Sequence, residues 1–112
     1  MKKTIIRTIL LGLLFSSVSF AGGDSLAGQK KVEQICQACH GLDGQGINDT
    51  YPKLAGQFAD YMVRALMDYK SGARKNAIMS GFAATLTEND MENVAAYYSR
   101  LDANRLHDLS IK

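Results

Sequence analysis

Two thiols and an imidazole stand within five consecutive positions at Cys36-Gln37-Ala38-Cys39-His40. Cysteines three residues apart lie on one side of a helical turn, so both sulfur atoms reach one edge of a flat macrocycle. The adjacent histidine then offers its imidazole to a metal at the centre of that ring. Cys-x-x-Cys-His is the spacing of covalent haem attachment, in which two thioether bonds replace reversible contacts and the histidine meets the iron. Three other readings use the same residues. A redox dithiol of this spacing belongs in a βαβ setting, whereas this chain reads as helices. Zinc takes four protein ligands, or three and a water, and the remaining donors are His107, in a polar tail, and scattered carboxylates. The last is a chance match in a protein without haem. The motif favours one covalently attached haem c, held by Cys36 and Cys39 with His40 on the iron.

A sixth iron ligand has to come from another segment. Four methionines follow the first residue: Met62, Met67, Met79 and Met91. Met62 and Met91 fall on apolar helix faces, where core packing is the ordinary role, and Met67 lies on a helix but off its stripe. Met79 falls in Asn76-Ala77-Ile78-Met79-Ser80-Gly81, which reads as irregular backbone able to carry a thioether over the far face of a ring. Pattern alone leaves iron ligation and core packing equally open for Met79.

The elements that must position these groups are helical. Asp24 and Ser25 are good N-caps for a first helix running toward Cys39. Gly28, Val32, Ile35, Cys36 and Cys39 share its inner face at three- and four-residue steps. Three glycines between Gly41 and Gly46 end it. The only proline, Pro52, sits in a loop before a second helix from about Gln57 to Ser71, whose stripe is Phe58, Tyr61, Met62, Ala65, Leu66 and Tyr69. Gly72 supplies its stop. From Ala73 to Leu86 the periodicity weakens, and the expectation is a loop with one short helix at most. Thr87 caps the last helix, with Glu88, Asp90 and Glu92 at its positive end. Its stripe is Met91, Val94, Ala95, Tyr98 and Leu101, with Tyr97 at the edge. From Asp102 onward the tail is polar and expected to fray.

The N-terminus has a different composition. Three positive charges in the first seven residues precede an apolar run from Thr8 to Ala21, with Ser19 and Ala21 as the small residues of a cleavage site. This order predicts a secretory signal peptide over 1–21, removed after Ala21, and a single mature domain over 22–112. The apolar run is shorter than the roughly 20 residues a membrane-spanning helix needs. The formal charge of +2 belongs largely to this segment; the rest carries slightly more acid than base. That balance gives no basic surface for nucleic acid. A domain this small gains little from its own core, and exported examples commonly lean on a disulfide, metal or cofactor.

Taken in order, Gly28 to Val32, Cys36-x-x-Cys39-His40-Gly41, Gly44-x-Gly46, Pro52-x-Leu54-x-Gly56-Gln57, Gly72-x-Arg74, Met79, and Leu86 followed by Val94-Ala95-Ala96-Tyr97-Tyr98 resemble the class I c-type cytochromes. The chain is similar to the short bacterial single-haem members and to either half of the two-haem periplasmic ones. The resemblance implies an all-α fold, the cytochrome c fold, with three main helices wrapped around one covalently bound haem. It implies His40 and Met79 as axial ligands and the Pro52 carbonyl as acceptor for the second imidazole N–H. It also implies that Gly28 lets the first helix cross the last against Val94 and Tyr97, and that Arg74 approaches a haem propionate. The chain has no tryptophan to share that contact.

The expected function is a periplasmic single-electron carrier between redox proteins, some of them membrane-bound, working as a monomer or within a redox complex. A peroxidase or gas-binding protein would need an open iron position, which Met79 ligation closes. A cytochrome subunit of a larger periplasmic oxidoreductase would carry the same haem unit, and that alternative stays open at the level of sequence.

Overall fold

The computed structural model describes residues 22–101, so the expected signal peptide over 1–21 and the tail with His107 lie outside the described residues. Among the described residues the regular elements are all helices: α1 (Ser25–Lys31), a π-helical turn (Val32–Cys36), α2 (Gln37–His40), α3 (Ala59–Ser71), α4 (Ala77–Ala84) and α5 (Glu88–Arg100). None is long and apolar enough to cross a membrane.

Asp24 starts α1 as expected, its carboxylate accepting from the amides of Leu26 and Ala27. The first helix is not uniform. Between Val32 and Cys36 it widens into a π-turn, closed by the Gln37 amide donating to the Val32 carbonyl. The Gln37 side-chain amide donates to the Glu33 carbonyl at 2.6 Å, so this second donor serves the turn where the helical ladder shifts. Such turns are common beside functional residues, and this one stands immediately before the second thiol and the imidazole.

Helix α1 crosses α5 at Gly28. A Cβ there would collide with the Asn93 carbonyl and lie 3.1 Å from the Tyr97 Cβ. The close approach is therefore made against Asn93 and Tyr97, where the sequence pointed to Val94 and Tyr97. Asn93 is buried, and its side-chain oxygen accepts from the Asp24 amide at 2.7 Å, which ties the start of one helix to the middle of the other. Val32, Met62, Val94, Ala95 and Tyr98 form the core between α1, α3 and α5.

Two further expectations need correction. Helix α3 starts at Ala59, and Phe58 at its N-cap is 74 % exposed, so the inner stripe loses Phe58 and runs from Tyr61 to Tyr69. The segment around Met79 is a helix of eight residues, not irregular backbone. Asn76 caps it by accepting from the Met79 amide at 3.0 Å, and that bond overrides the weak propensities of Ser80 and Gly81. The last helix is as read, with Thr87 and Asp90 forming a reciprocal capping box.

Candidate functional site

Helices α3, α4 and α5 and the loop before α3 surround an apolar cavity of about 330 Å³ whose wall includes Cys36, Cys39, His40, Pro52 and Met79. The π-turn and α2 bring the two thiols and the imidazole to one side of it, and the first turn of α4 brings Met79 to its wall. These side chains are far apart in sequence and close on one chamber. Arg74 and Lys53 also line it, with no carboxylate among the lining residues.

His40 is buried, and its Nδ1 lies 2.9 Å from the Pro52 carbonyl oxygen. A carbonyl only accepts, so Nδ1 carries the proton and Nε2 is left with its lone pair free for a metal. The chain turns sharply after His40 because Gly41 adopts φ 77 and ψ 151, a conformation open to glycine and strained for other residues. The Gly46 amide then donates to the His40 carbonyl at 2.7 Å and the Ile47 amide to the Cys39 carbonyl at 3.0 Å, folding the loop back against the motif.

Both cysteines are free thiols. Burial pushes the Cys36 thiol up to about 11, against a smaller opposing pull from Lys31. A dithiol oxidoreductase lowers the pKa of its attacking cysteine, and this site does the reverse. Among the described residues no three His, Cys, Asp or Glu side chains gather to hold a metal ion, so a zinc-type donor set does not form there.

The cavity passes the test for haem on its own chemistry. Its walls are apolar, both thiols lie on its wall beside the imidazole, and the imidazole tautomer is set for metal binding. Arg74 is exposed; it donates to the Tyr61 hydroxyl at 3.3 Å, and its guanidinium stands 4.9 Å from the centre of the Tyr69 ring. That clamp holds a cation at the cavity mouth, in a position suited to an anionic substituent.

Sequence reasoning missed two contacts from α5. The Tyr97 hydroxyl donates to the Leu42 carbonyl at 2.8 Å, and the Tyr98 hydroxyl donates to the Gly41 carbonyl at 2.9 Å. Helical periodicity marked Tyr98 as an apolar core position, and nothing in that pattern signals where a hydroxyl ends.

The family model described as cytochrome c matches residues 25–102. Cytochrome c4 from Stutzerimonas stutzeri is 39 % identical over 104 residues, a match covering 85 % of this chain and 49 % of that protein. Cytochrome c-554(548) from Halomonas halodenitrificans is 44 % identical over 80 residues, covering 69 % of this chain and 95 % of that protein. The solved structure of cytochrome c4 from Acidithiobacillus ferrooxidans superposes with a TM-score of 0.67 at 35 % identity, over 77 % of this chain and 53 % of that one. The chain spans about half the length of the cytochrome c4 relatives it matches. A match running from the first turn of α1 to the end of α5, with the helices disposed as in a solved relative, means that the chain belongs to the cytochrome c family, which binds haem c covalently.

Proposed function

We propose that the chain is a one-haem electron carrier of the periplasm, with His40 and Met79 as the axial ligands of the iron. The observation that carries this reading is the shared chamber, whose wall includes His40 with its tautomer fixed and Met79 from a separate helix. Haem bound there would supply a one-electron couple at its iron. Cys36 and Cys39 would hold it by thioether bonds. His40 would present Nε2, and Met79 would present a thioether, a ligand pair that raises the reduction potential. Pro52 keeps the imidazole from rotating. Arg74, clamped by Tyr61 and Tyr69, would face a propionate.

With both axial positions filled by protein, small molecules would have no open coordination site, which would favour electron transfer to redox proteins over catalysis at the metal. One Cys-x-x-Cys-His segment supports one haem for this chain. The charged, apolar and small-residue order of 1–21 supports export, and haem attachment of this kind fits an exported protein.

The test is the mass of the denatured mature protein. It is expected to equal the Gly22–Lys112 polypeptide plus one haem, with the haem retained on a denaturing gel. Haem that extracts into acidified organic solvent would overturn the assignment. Size exclusion of the natively expressed protein distinguishes a free carrier, expected as a small monomer, from a subunit held in a larger oxidoreductase.

A further inference from the structure

We propose that Tyr98 is the positioning residue for the His40–Pro52 pair, closing both ends of the 41–56 loop from a single place on α5. The proposal rests on the haem reading above only for its consequence at the iron; the loop geometry stands by itself.

Tyr98 is fully buried in the core. Its hydroxyl donates to the Gly41 carbonyl at 2.9 Å, and the same carbonyl accepts from the Gly44 amide at 3.1 Å. The Gly44 carbonyl in turn accepts from the amides of Leu54 and Ala55, at 2.8 and 3.1 Å. At the other end of the loop, the Gly56 amide donates to the Tyr98 main-chain carbonyl at 2.9 Å. That carbonyl is in the last turn of α5, where helical carbonyls lack a partner four residues on; it also accepts from the Leu101 amide at 3.2 Å, so the Gly56 amide is its second donor. Pro52 lies between these anchors, and its carbonyl is the one that accepts from His40 Nδ1.

The hydroxyl is the informative atom. A phenylalanine would fill the same apolar space, so packing does not call for an oxygen here. What the oxygen does is hold the carbonyl of Gly41, the residue at which the chain turns with φ 77 and ψ 151 and whose backbone, having no side chain, is otherwise free to rotate. If that carbonyl swings, the Gly44 turn loosens, and with it the segment that aims Pro52 at the imidazole. Tyr97 supplies an internal contrast: its hydroxyl makes the same kind of bond to the neighbouring Leu42 carbonyl, but Tyr97 does not line the cavity and Leu42 is not the turning residue.

The experiment compares Tyr98→Phe with Tyr97→Phe in the full haem-bearing protein. In Tyr98→Phe the haem is expected to stay covalently bound, while the His40 Nδ1–H, followed by nitrogen-15 NMR, exchanges with solvent at least tenfold faster. The reduction potential is expected to rise, because a weaker bond to Pro52 makes the imidazole a poorer donor to ferric iron. Tyr97→Phe is expected to leave both quantities unchanged. Site-specific 3,5-difluorotyrosine in place of Tyr98 keeps the hydroxyl and makes it a stronger donor, so it serves if the phenylalanine variant does not fold; slower exchange and a lower potential are expected. Wild-type exchange and potential in a folded Tyr98→Phe protein, even one that melts earlier, would overturn the proposal, as would unmoved values in the difluorotyrosine protein. Wild-type protein lacking covalent haem would instead defeat the haem reading, and the exchange rate at His40 would still decide the role of Tyr98.

Discussion

The chemistry of the site turns on which atom of each side chain is left free. At His40 the Pro52 carbonyl removes one nitrogen from consideration and leaves the other for the metal. Among the methionines, Met91 is buried in packing and Met67 is 41 % exposed, while Met62 and Met79 both line the cavity; Met62 belongs to the buried core cluster, and Met79, half-buried on α4, does not. We therefore expect Met79→Ala to open the sixth coordination position, abolish the near-infrared sulfur–iron band of the oxidised protein and lower its reduction potential. Carbon monoxide should then bind the reduced form readily. Met62→Leu, Met67→Leu and Met91→Leu should keep the band, since exchanges of similar volume cost less than about 1.5 kcal/mol. A wild-type spectrum in Met79→Ala would move the ligand elsewhere. The thiols and the imidazole were legible in the sequence because their types and spacing are unusual, whereas Met79 stood out only through the family resemblance. The helical setting of Met79 was not legible, because Ser80 and Gly81 obscure a cap that Asn76 supplies three residues earlier.

At the scale of elements, helix ends and crossings were more legible than helix interiors. Asp24, Gly72 and Thr87 all stand where capping chemistry puts them. A strict 3.6-residue period carried Gly28, Val32, Ile35, Cys36 and Cys39 along one face, and no residue type announced the π-turn that interrupts it. Asn93 escaped notice because a buried amide bonded to a distant helix start has no sequence period at all. Two variants probe these elements. Gly28→Ala places a methyl group against the Asn93 carbonyl, so α1 and α5 must separate; denaturant unfolding should show a loss of about 1–3 kcal/mol or more. Asp90 is held below the usual carboxylate range, chiefly by the Thr87 amide and also by the Thr87 hydroxyl and Lys31, whose Nζ is 3.4 Å away. A depressed carboxylate stabilises the fold above its unfolded pKa of about 4 and loses that contribution as pH falls through the lower folded value. Asp90→Asn should therefore be less stable than wild type at neutral pH, and the gap in melting temperature should close in strong acid. A gap that stays constant with pH would assign the loss to geometry rather than charge.

The domain described over residues 22–101 is small for the job of enclosing a cofactor, and its architecture reflects that. Among the described residues the core cluster of buried side chains is five residues, drawn from the first helix, α3 and α5. Much of the remaining apolar surface faces the cavity: Ile35 from the first helix, Leu66 from α3, Phe82 from α4 and Leu86 from the following turn line it together. Side chains that would pack on one another in an ordinary helical domain are arranged around a shared chamber, and α4 touches the rest chiefly through α3. A group bound to the folded state alone adds its binding energy to stability, and the proposed covalent attachment through Cys36 and Cys39 would prevent its loss. A domain of this size buries a modest fraction of its surface and has little stability to spare. The combined Cys36→Ala and Cys39→Ala variant should therefore accumulate poorly and, once isolated, show much weaker helical circular dichroism than wild type and no cooperative melt. Adding free haem should restore part of the helix signal, because His40 and the apolar walls remain. Helix content and a melting curve equal to those of wild type in the unreconstituted double variant would mean that the three-helix core folds by itself, and that the cofactor is a passenger in this fold rather than part of its interior.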